Sequence, residues 1–351
     1  MKPIIDLHLH LDGSLPISTV ETLMRRYPNR VPENIRYWLD IPEEELHEKL
    51  LVELMAPADC ESLSEYLTRF DLPCRLMQGP EAMKIATLGL LTKLRDDGIK
   101  YVEIRFAPQL HSIKYQNFKN VRLQYEKVIL NAMIEATHLV PEIKVGFILC
   151  CMRNLPDKML LGYDPNENTI ALMDEFYKKG VVAMDLAGAE ARDETEQFCK
   201  LFEMAREIKV PFTIHAGEAG DREWRQRSID SAIRFGAKRI GHGIALCTSP
   251  KLMETCLDEG IGIECCPVSN VHTKAVRGGI GNHPISMFLK KGLLVSVNTD
   301  NQTVSNTNLE HEFEVIQAIG IGEAEQKVLT RNAIMMSFAD DETKRWLVEE
   351  C

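Results

Sequence analysis

The sequence predicts an α/β fold, a (β/α)8 TIM barrel with a helical insertion after the first strand and a C-terminal helical extension. Three observations predict it. Eight short runs rich in Val, Ile and Leu each precede a segment of helical periodicity or a loop leading into one, which is the alternation of a barrel. The runs are near-continuously apolar, as parallel strands buried on both faces are. Histidines and carboxylates able to share one cation fall at the C-terminal ends of these runs, where a barrel builds its site. A doubly wound open sheet would bring a Gly-rich phosphate turn after its first strand; here that strand runs into His8-Leu9-His10-Leu11-Asp12-Gly13.

The expected strands, in order, are residues 3–9, 100–106 (KYVEIRF), 144–150 (KVGFILC), 181–186 (VVAMDL), 210–214 (VPFTI), 239–241, 261–265 (IGIEC) and 293–298 (LLVSVN). About ninety residues separate the first two strands, too many for one crossover helix, and they read as a helical cap over roughly residues 15–77. Its pieces are helices at 17–26, around 43–54 and at 62–77, broken by prolines at 28, 32, 42 and 57, before the crossover helix at 80–97. The acidic Glu43-Glu44-Glu45 is explained by the positive end of a helix dipole. Helices at 323–337 and 341–350 form the extension, and with no repeat or linker visible the whole of 1–351 reads as one domain.

Composition narrows the function. With 45% hydrophobic and 26% charged residues the chain is ordinary soluble-globular material with ample core. Its net charge of −11 repels a phosphate polymer or an anionic membrane, so neither nucleic acid nor membrane is an expected partner, and a small uncharged substrate is favoured. The longest apolar stretch, 145–152, is too short to span a bilayer, and the start of the chain reads as a strand with no secretory signal. Ten cysteines without C-x-x-C spacing read as reduced, buried thiols of a cytoplasmic protein. Nothing in the sequence specifies an oligomeric state.

The period of two in a strand puts His8 and His10 on one face. Catalytic zinc takes imidazole and carboxylate ligands and keeps a position open for water, and His8, His10, His215 and Asp300 supply such a set from strands one, five and eight. A barrel closes its first strand against its last, so these residues can converge on one Zn2+. His242, at the end of strand six, belongs beside them. In His215-Ala216-Gly217-Glu218-Ala219-Gly220 the glycines allow a tight path that hangs Glu218 over the metal. Glu218 could otherwise be a helix-terminus charge, His242 a core histidine and Asp300 a helix cap. Of the other histidines, His47 and His138 read as exposed, His283 and His311 as structural, and His111 and His272 as facing the active rim.

Five ordered motifs then carry a resemblance: His8-Leu-His-Leu-Asp12-Gly13-Ser14, Met184-Asp185-Leu-Ala-Gly188, His215-Ala-Gly-Glu218-Ala-Gly, Gly241-His242-Gly and Asn298-Thr-Asp300. From residue 4 to about 310 the chain resembles the adenosine deaminase family of the amidohydrolase superfamily. The resemblance implies hydrolysis of adenosine and 2′-deoxyadenosine to the inosine product and ammonia. One zinc would be held by His8, His10, His215 and Asp300. Water activated on that zinc would attack C6 while Glu218 protonates N1, with His242 handling the water and Asp300 orienting it. His10, Asp12 (to a ribose hydroxyl), Gly188 (backbone to the base) and Asn301 would bind the nucleoside. Family members acting on free adenine tend to carry Glu where Asp12 stands. Many members carry a second aspartate where this chain has Asn301, whose amide always has donors for purine N7.

Three rivals are weaker. A binuclear amidohydrolase would carry a bridging lysine after strand four, and residues 185–190 contain none. The cytidine-deaminase type needs H-x-E and P-C-x-x-C, which Cys265-Cys266-Pro267 does not match. A non-catalytic barrel would have lost Glu218 or a ligand. Adenosine, a 5′-methylthio analogue or an aminofutalosine-type nucleoside presents the same amine, and the residues that choose among them lie in the cap.

Overall fold

The computed structural model describes residues 4–57, 59–155 and 158–351; residue 3 of the first expected strand lies outside them. The strands are β1 (Ile5–His10), β2 (Tyr101–Phe106), β3 (Lys144–Met152), β4 (Val181–Ala187), β5 (Thr213–Ala216), β6 (Arg239–His242), β7 (Gly262–Cys265) and β8 (Val295–Val297). They pair in parallel as two four-stranded sheets, β1-β2-β3-β4 and β5-β6-β7-β8. Two short seams join the sheets into a barrel. At one, Asp300 bridges Leu9, with His10 N–H donating to Asp300 O and Asp300 N–H to His8 O, both at 2.7 Å. At the other, Met184 N–H donates to Pro211 O at 3.0 Å. Closure thus stitches the end of the first strand to the loop after the last, and those segments carry three of the four candidate ligands, His8, His10 and Asp300. The β1–β2 register shifts between Asp6 and Leu9, beside His8, as bulges near sites do.

Helices pack the outer faces of the strands. The interior is less apolar than the sequence suggests. Glu103, Arg105, Asp185, Arg239 and Glu264 point inward with no exposed surface. Arg239 donates to Glu264 Oε1 at 2.6 Å and to Glu103 Oε2 at 2.5 Å, and its guanidinium lies 3.9 Å from the Phe338 ring centroid. Glu103 also accepts from Phe338 N–H at 2.6 Å. The C-terminal helices, Glu323–Met336 and Asp341–Glu350, therefore plug the N-terminal end of the barrel, with Ala333, Ile334, Met336 and Leu347 against Ile4, Ile5 and Leu7.

The cap begins with Ile17–Arg26 and Glu43–Leu54, the helices expected from the sequence. The helix expected at 62–77 is interrupted: Leu63–Leu67, a 3-10 turn at Thr68–Phe70, then Asp71–Leu76. Pro73 has no N–H to give to the carbonyl four residues back, so a continuous α-helix loses a bond there. Between the prolines at 32 and 42, where the sequence pattern predicts no helix, Glu33–Asp40 forms a 3-10 helix that buries Ile35 and Trp38, three residues apart. Among the described residues no helix is long and apolar enough to cross a membrane.

Candidate active site

The C-terminal rim gathers His8 and His10 from β1, His215 from β5 and Asp300 from the loop after β8. One ligand atom from each lies within 4.8 Å of all the others. His10 Nε2 is 3.1 Å from His215 Nε2, and Asp300 Oδ1 is 3.4 Å from both His8 Nε2 and His10 Nε2. The backbone at Asp300 (φ 60°) and at His242 (φ 64°) is left-handed. Non-glycine residues adopt this at a cost of the order of 1–3 kcal/mol and hold it only where surrounding structure imposes it. For Asp300 the two hydrogen bonds to β1 impose it.

The far sides of two of the three imidazoles face carboxylates. His8 Nδ1 meets Glu264 Oε2 at 2.7 Å, and His215 Nδ1 lies 2.9 Å from Asp185 Oδ2. Arg105 links the pair, donating to Asp185 Oδ2 at 2.9 Å, to Glu264 Oε2 at 3.0 Å and to Leu7 O at 2.7 Å. Burial opposes ionisation of both acids. Arg105 and Arg239 nevertheless hold Glu264 well below the usual carboxylate range, and His215 and Arg105 do the same for Asp185. Ser269 Oγ donates to Asp300 Oδ2 at 2.5 Å. Carboxylates behind metal imidazoles set which nitrogen faces the metal.

A cavity of about 360 Å³ opens above this cluster, a size typical of small-ligand sites. His10, His215, Asp300, Glu218, His242, Asp12, Gly188 and Asn301 all line it, whereas His8 is sealed behind them. Its cap-side wall is Leu63, Tyr66, Leu67, Phe70 and Cys74. Glu218 sits on a turn clamped by Glu190, whose carboxylate accepts from the N–H groups of Gly217, Glu218 and Ala219 at 2.7, 2.8 and 2.8 Å. Burial, with Asp300 and Glu190 adding negative charge, pushes the Glu218 carboxyl up to about 8. Its Oε2 is 3.5 Å from His242 Nε2. Burial also raises Asp12 to about 6; its Oδ1 is buried without a hydrogen-bond partner among the described residues while Oδ2 faces Cys74 Sγ at 3.6 Å. Gly188 has φ 101°, open to glycine and strained for other residues. Asn301 Oδ1 is buried without a hydrogen-bond partner among the described residues, and a Cβ on Gly13 would fall 1.9 Å from it, so Gly13 makes the room for Asn301.

Of the rim histidines, His111 is turned away, its Nδ1 3.0 Å from Met77 O, and His272 lies beside Tyr66, ring centroids 6.5 Å apart; neither lines the cavity. His311, read as structural, is exposed. Arg105, Asp185, Glu190, Glu264, Ser269 and Asn270 have roles here that the sequence pattern does not predict. For Arg105, Asp185 and Glu264 the available signal is charge inside an apolar strand run, since a buried charge demands a partner, whereas Glu190, Ser269 and Asn270 lie outside the strands and carry no such signal.

A closed parallel barrel with a histidine and aspartate cluster and a neutral carboxyl at its C-terminal rim defines a hydrolase of the amidohydrolase kind. The family model for adenosine deaminase matches residues 3–351. The chain is 37% identical over 351 residues to an adenosine deaminase of Haemophilus ducreyi, covering 98% of this chain and 94% of that one. It is 35% identical over 347 residues to one from Clostridium botulinum (strain Langeland), covering 98% and 96%. Among solved structures, the adenine deaminase of Arthrobacter aurescens superposes with a TM-score of 0.78 at 22% identity, covering 100% of this chain and 98% of that one. The N6-methyl-AMP deaminase of Arabidopsis thaliana gives 0.77 at 23%, covering 99% and 95%. The chain belongs to the adenosine deaminase family and is a hydrolytic deaminase.

Proposed function

We propose that the protein is a zinc-dependent deaminase of adenosine and 2′-deoxyadenosine, releasing ammonia and the inosine product. The observation that carries this reading is Glu218, a buried carboxyl held neutral near pH 7, beside three imidazoles and a carboxylate whose donor atoms converge. The donor set fits zinc: three imidazole nitrogens and one carboxylate oxygen, with His8 Nε2 buried and without a hydrogen-bond partner among the described residues. When bound, zinc lowers the pKa of water from about 15.7 to about 7 and so supplies a nucleophile at neutral pH.

The chain's own residues supply the remainder. Attack at purine C6 drives negative charge toward N1, and the protonated Glu218 is the acid placed to quench it by giving its proton to N1. The apolar cap wall excludes water from that transfer. His242 and Asp300 hold the attacking oxygen, Asp12 offers an unpaired carboxyl oxygen to a ribose hydroxyl, Asn301 offers its amide to N7, and the Gly188 backbone flanks the base. An acid or base so placed contributes roughly 10²–10⁴-fold. The ten cysteines are free thiols, which supports the reducing cytoplasm as the compartment.

The test is ammonia release from adenosine, free adenine, methylthioadenosine and an aminofutalosine-type nucleoside, each with and without chelator. Chelator-sensitive turnover of adenosine well above the others is the expected result. Preference for a 5′-substituted nucleoside would overturn the substrate assignment while leaving the chemistry.

A further inference from the structure

The wall behind His242 dictates where that imidazole carries its proton. Asn270 Nδ2 lies 2.9 Å from His242 Nδ1, and Asn270 Oδ1 lies 3.1 Å from His283 Nε2. The orientation of this amide is not arbitrary. Cys266 N–H points at Asn270 Oδ1 at 3.3 Å, and a backbone N–H can only donate, so the oxygen must be the atom on that side. The far end is pinned in the same way: Ile285 N–H donates to His283 Nδ1 at 3.2 Å, which leaves the His283 proton on Nε2, aimed at Asn270 Oδ1. Burial keeps His283 neutral, down to about 3. The amide NH2 is therefore the donor to His242 Nδ1, and a nitrogen that accepts there carries no proton. Neutral His242 then holds its proton on Nε2, the nitrogen 3.5 Å from Glu218 Oε2. His242, Asn270 and His283 are 1%, 0% and 5% exposed, so reversing any one dipole would leave buried groups unsatisfied.

We propose that Asn270 and His283 are positioning residues that fix His242 as its Nε2–H tautomer, so that His242 donates a hydrogen bond to the oxygen attacking C6 and takes no proton from it. The catalytic half of this inference rests on the deaminase reading; the tautomer does not. Two backbone donors, Cys266 N–H and Ile285 N–H, anchor a one-way chain running through His283, Asn270 and His242 toward Glu218. The acid–base work then falls to Glu218, and His242 becomes a fixed dipole of the kind that stabilises developing charge without reorganisation.

The test is a nitrogen–proton correlation spectrum of the zinc-loaded enzyme labelled with 15N in its histidine rings, with the His242 signals identified by their loss in His242→Gln. We expect a bare Nδ1 and a protonated Nε2. Asn270→Asp changes one atom, still accepts from Cys266 N–H and His283, and offers His242 no donor, so the His242 proton should move to Nδ1. With zinc content retained, kcat should fall by about 10²–10⁴-fold, the range for a misplaced acid–base group, and KM should change far less. A wild-type spectrum with the proton on Nδ1 overturns the proposal, and it decides alone if the variant does not fold. A variant that loses turnover with its tautomer unmoved, or that flips the tautomer and keeps wild-type turnover, overturns it equally. Failure of the deaminase reading would appear separately, as a wild-type enzyme that releases no ammonia from any nucleoside.

Discussion

Arg105→Met should weaken the proposed metal centre without altering any of its four proposed ligands. The arginine has no exposed surface and makes three hydrogen bonds, to Asp185, Glu264 and Leu7 O. Methionine fills similar length and leaves both carboxylates and the carbonyl without that partner. Removing one member of a buried ion pair costs about 3–5 kcal/mol, a large share of the about 5–15 kcal/mol by which a domain is stable. The loss has a pH signature. Asp185 and Glu264 have folded-state pKa values held below their ordinary ones. Their contribution is therefore present above the usual carboxylate range, near pH 4, and is lost as pH falls through the depressed values. The gap between wild type and variant should be widest at neutral pH and narrow in acid. Urea unfolding of metal-free protein across that range measures it. Chelator competition at pH 7 measures the second consequence, a fall of about 10–100-fold in zinc affinity as His8 and His215 lose their oriented backing. Unchanged zinc affinity together with a stability loss under about 1 kcal/mol, or one equal at all pH, would refute the reasoning.

Glu218→Gln should keep zinc while turnover falls by roughly 10²–10⁴-fold, and a near-wild-type rate would remove Glu218 from the chemistry. The same substitution has an opposite effect on stability: because burial raises the Glu218 pKa to about 8, its contribution is intact below the unfolded value and is lost as pH rises toward 8, so metal-free Glu218→Gln should gain on wild type at pH 8 and match it near pH 4. His10→Ala should abolish zinc binding, read as metal content after dialysis; retained stoichiometric zinc would exclude His10 as a ligand. Asn301→Ala should cut kcat/KM for adenosine by roughly 10-fold, the worth of about 1.4 kcal/mol for a buried hydrogen bond, and no change would mean that the N7 contact does not exist.

The sequence was most legible where chemistry is local along the chain. His8, His10, His215 and His242 end strands, and strand ends can be read from an apolar run that stops at Gly or His. Asp300 was legible by the same rule, although β8 itself spans only Val295–Val297. What could not be read is partnership across the barrel. Glu103 and Arg105 stand two apart in β2, Asp185 in β4 and Glu264 in β7. Each interrupts an apolar run and so needs a partner, but only closure of the barrel decides that Arg105 serves Asp185 and Glu264 together. Asn270 was hidden for a related reason: it belongs to the short helix Pro267–His272, and its meaning lies in the two backbone donors that orient it. In the cap, Pro73 announced the break in the expected helix, whereas the Glu33–Asp40 turn buried only Ile35 and Trp38, too few apolar positions to stand out between prolines.

The charged interior has a physical rationale that stability does not provide. An apolar filling of the same volume would serve the barrel equally well or better, because ionised groups pay their desolvation in full when buried. An apolar filling cannot hold the Nδ1 atoms of His8 and His215. With Glu264 and Asp185 on that side, the Nε2 atoms converge at the rim, where His8 Nε2 is buried with no hydrogen-bond partner among the described residues and Asp300 Oδ1 lies 3.4 Å away. The C-terminal helices complete this logic from below, where Phe338 N–H and the Met336 carbonyl bind the Glu103–Arg239 pair, which in turn holds the second oxygen of Glu264. Loosening that plug should therefore be felt at the opposite end of the barrel, through the contacts of Arg239 with Glu264 and of Glu264 with His8, whose Nε2 is the nitrogen proposed to face the metal.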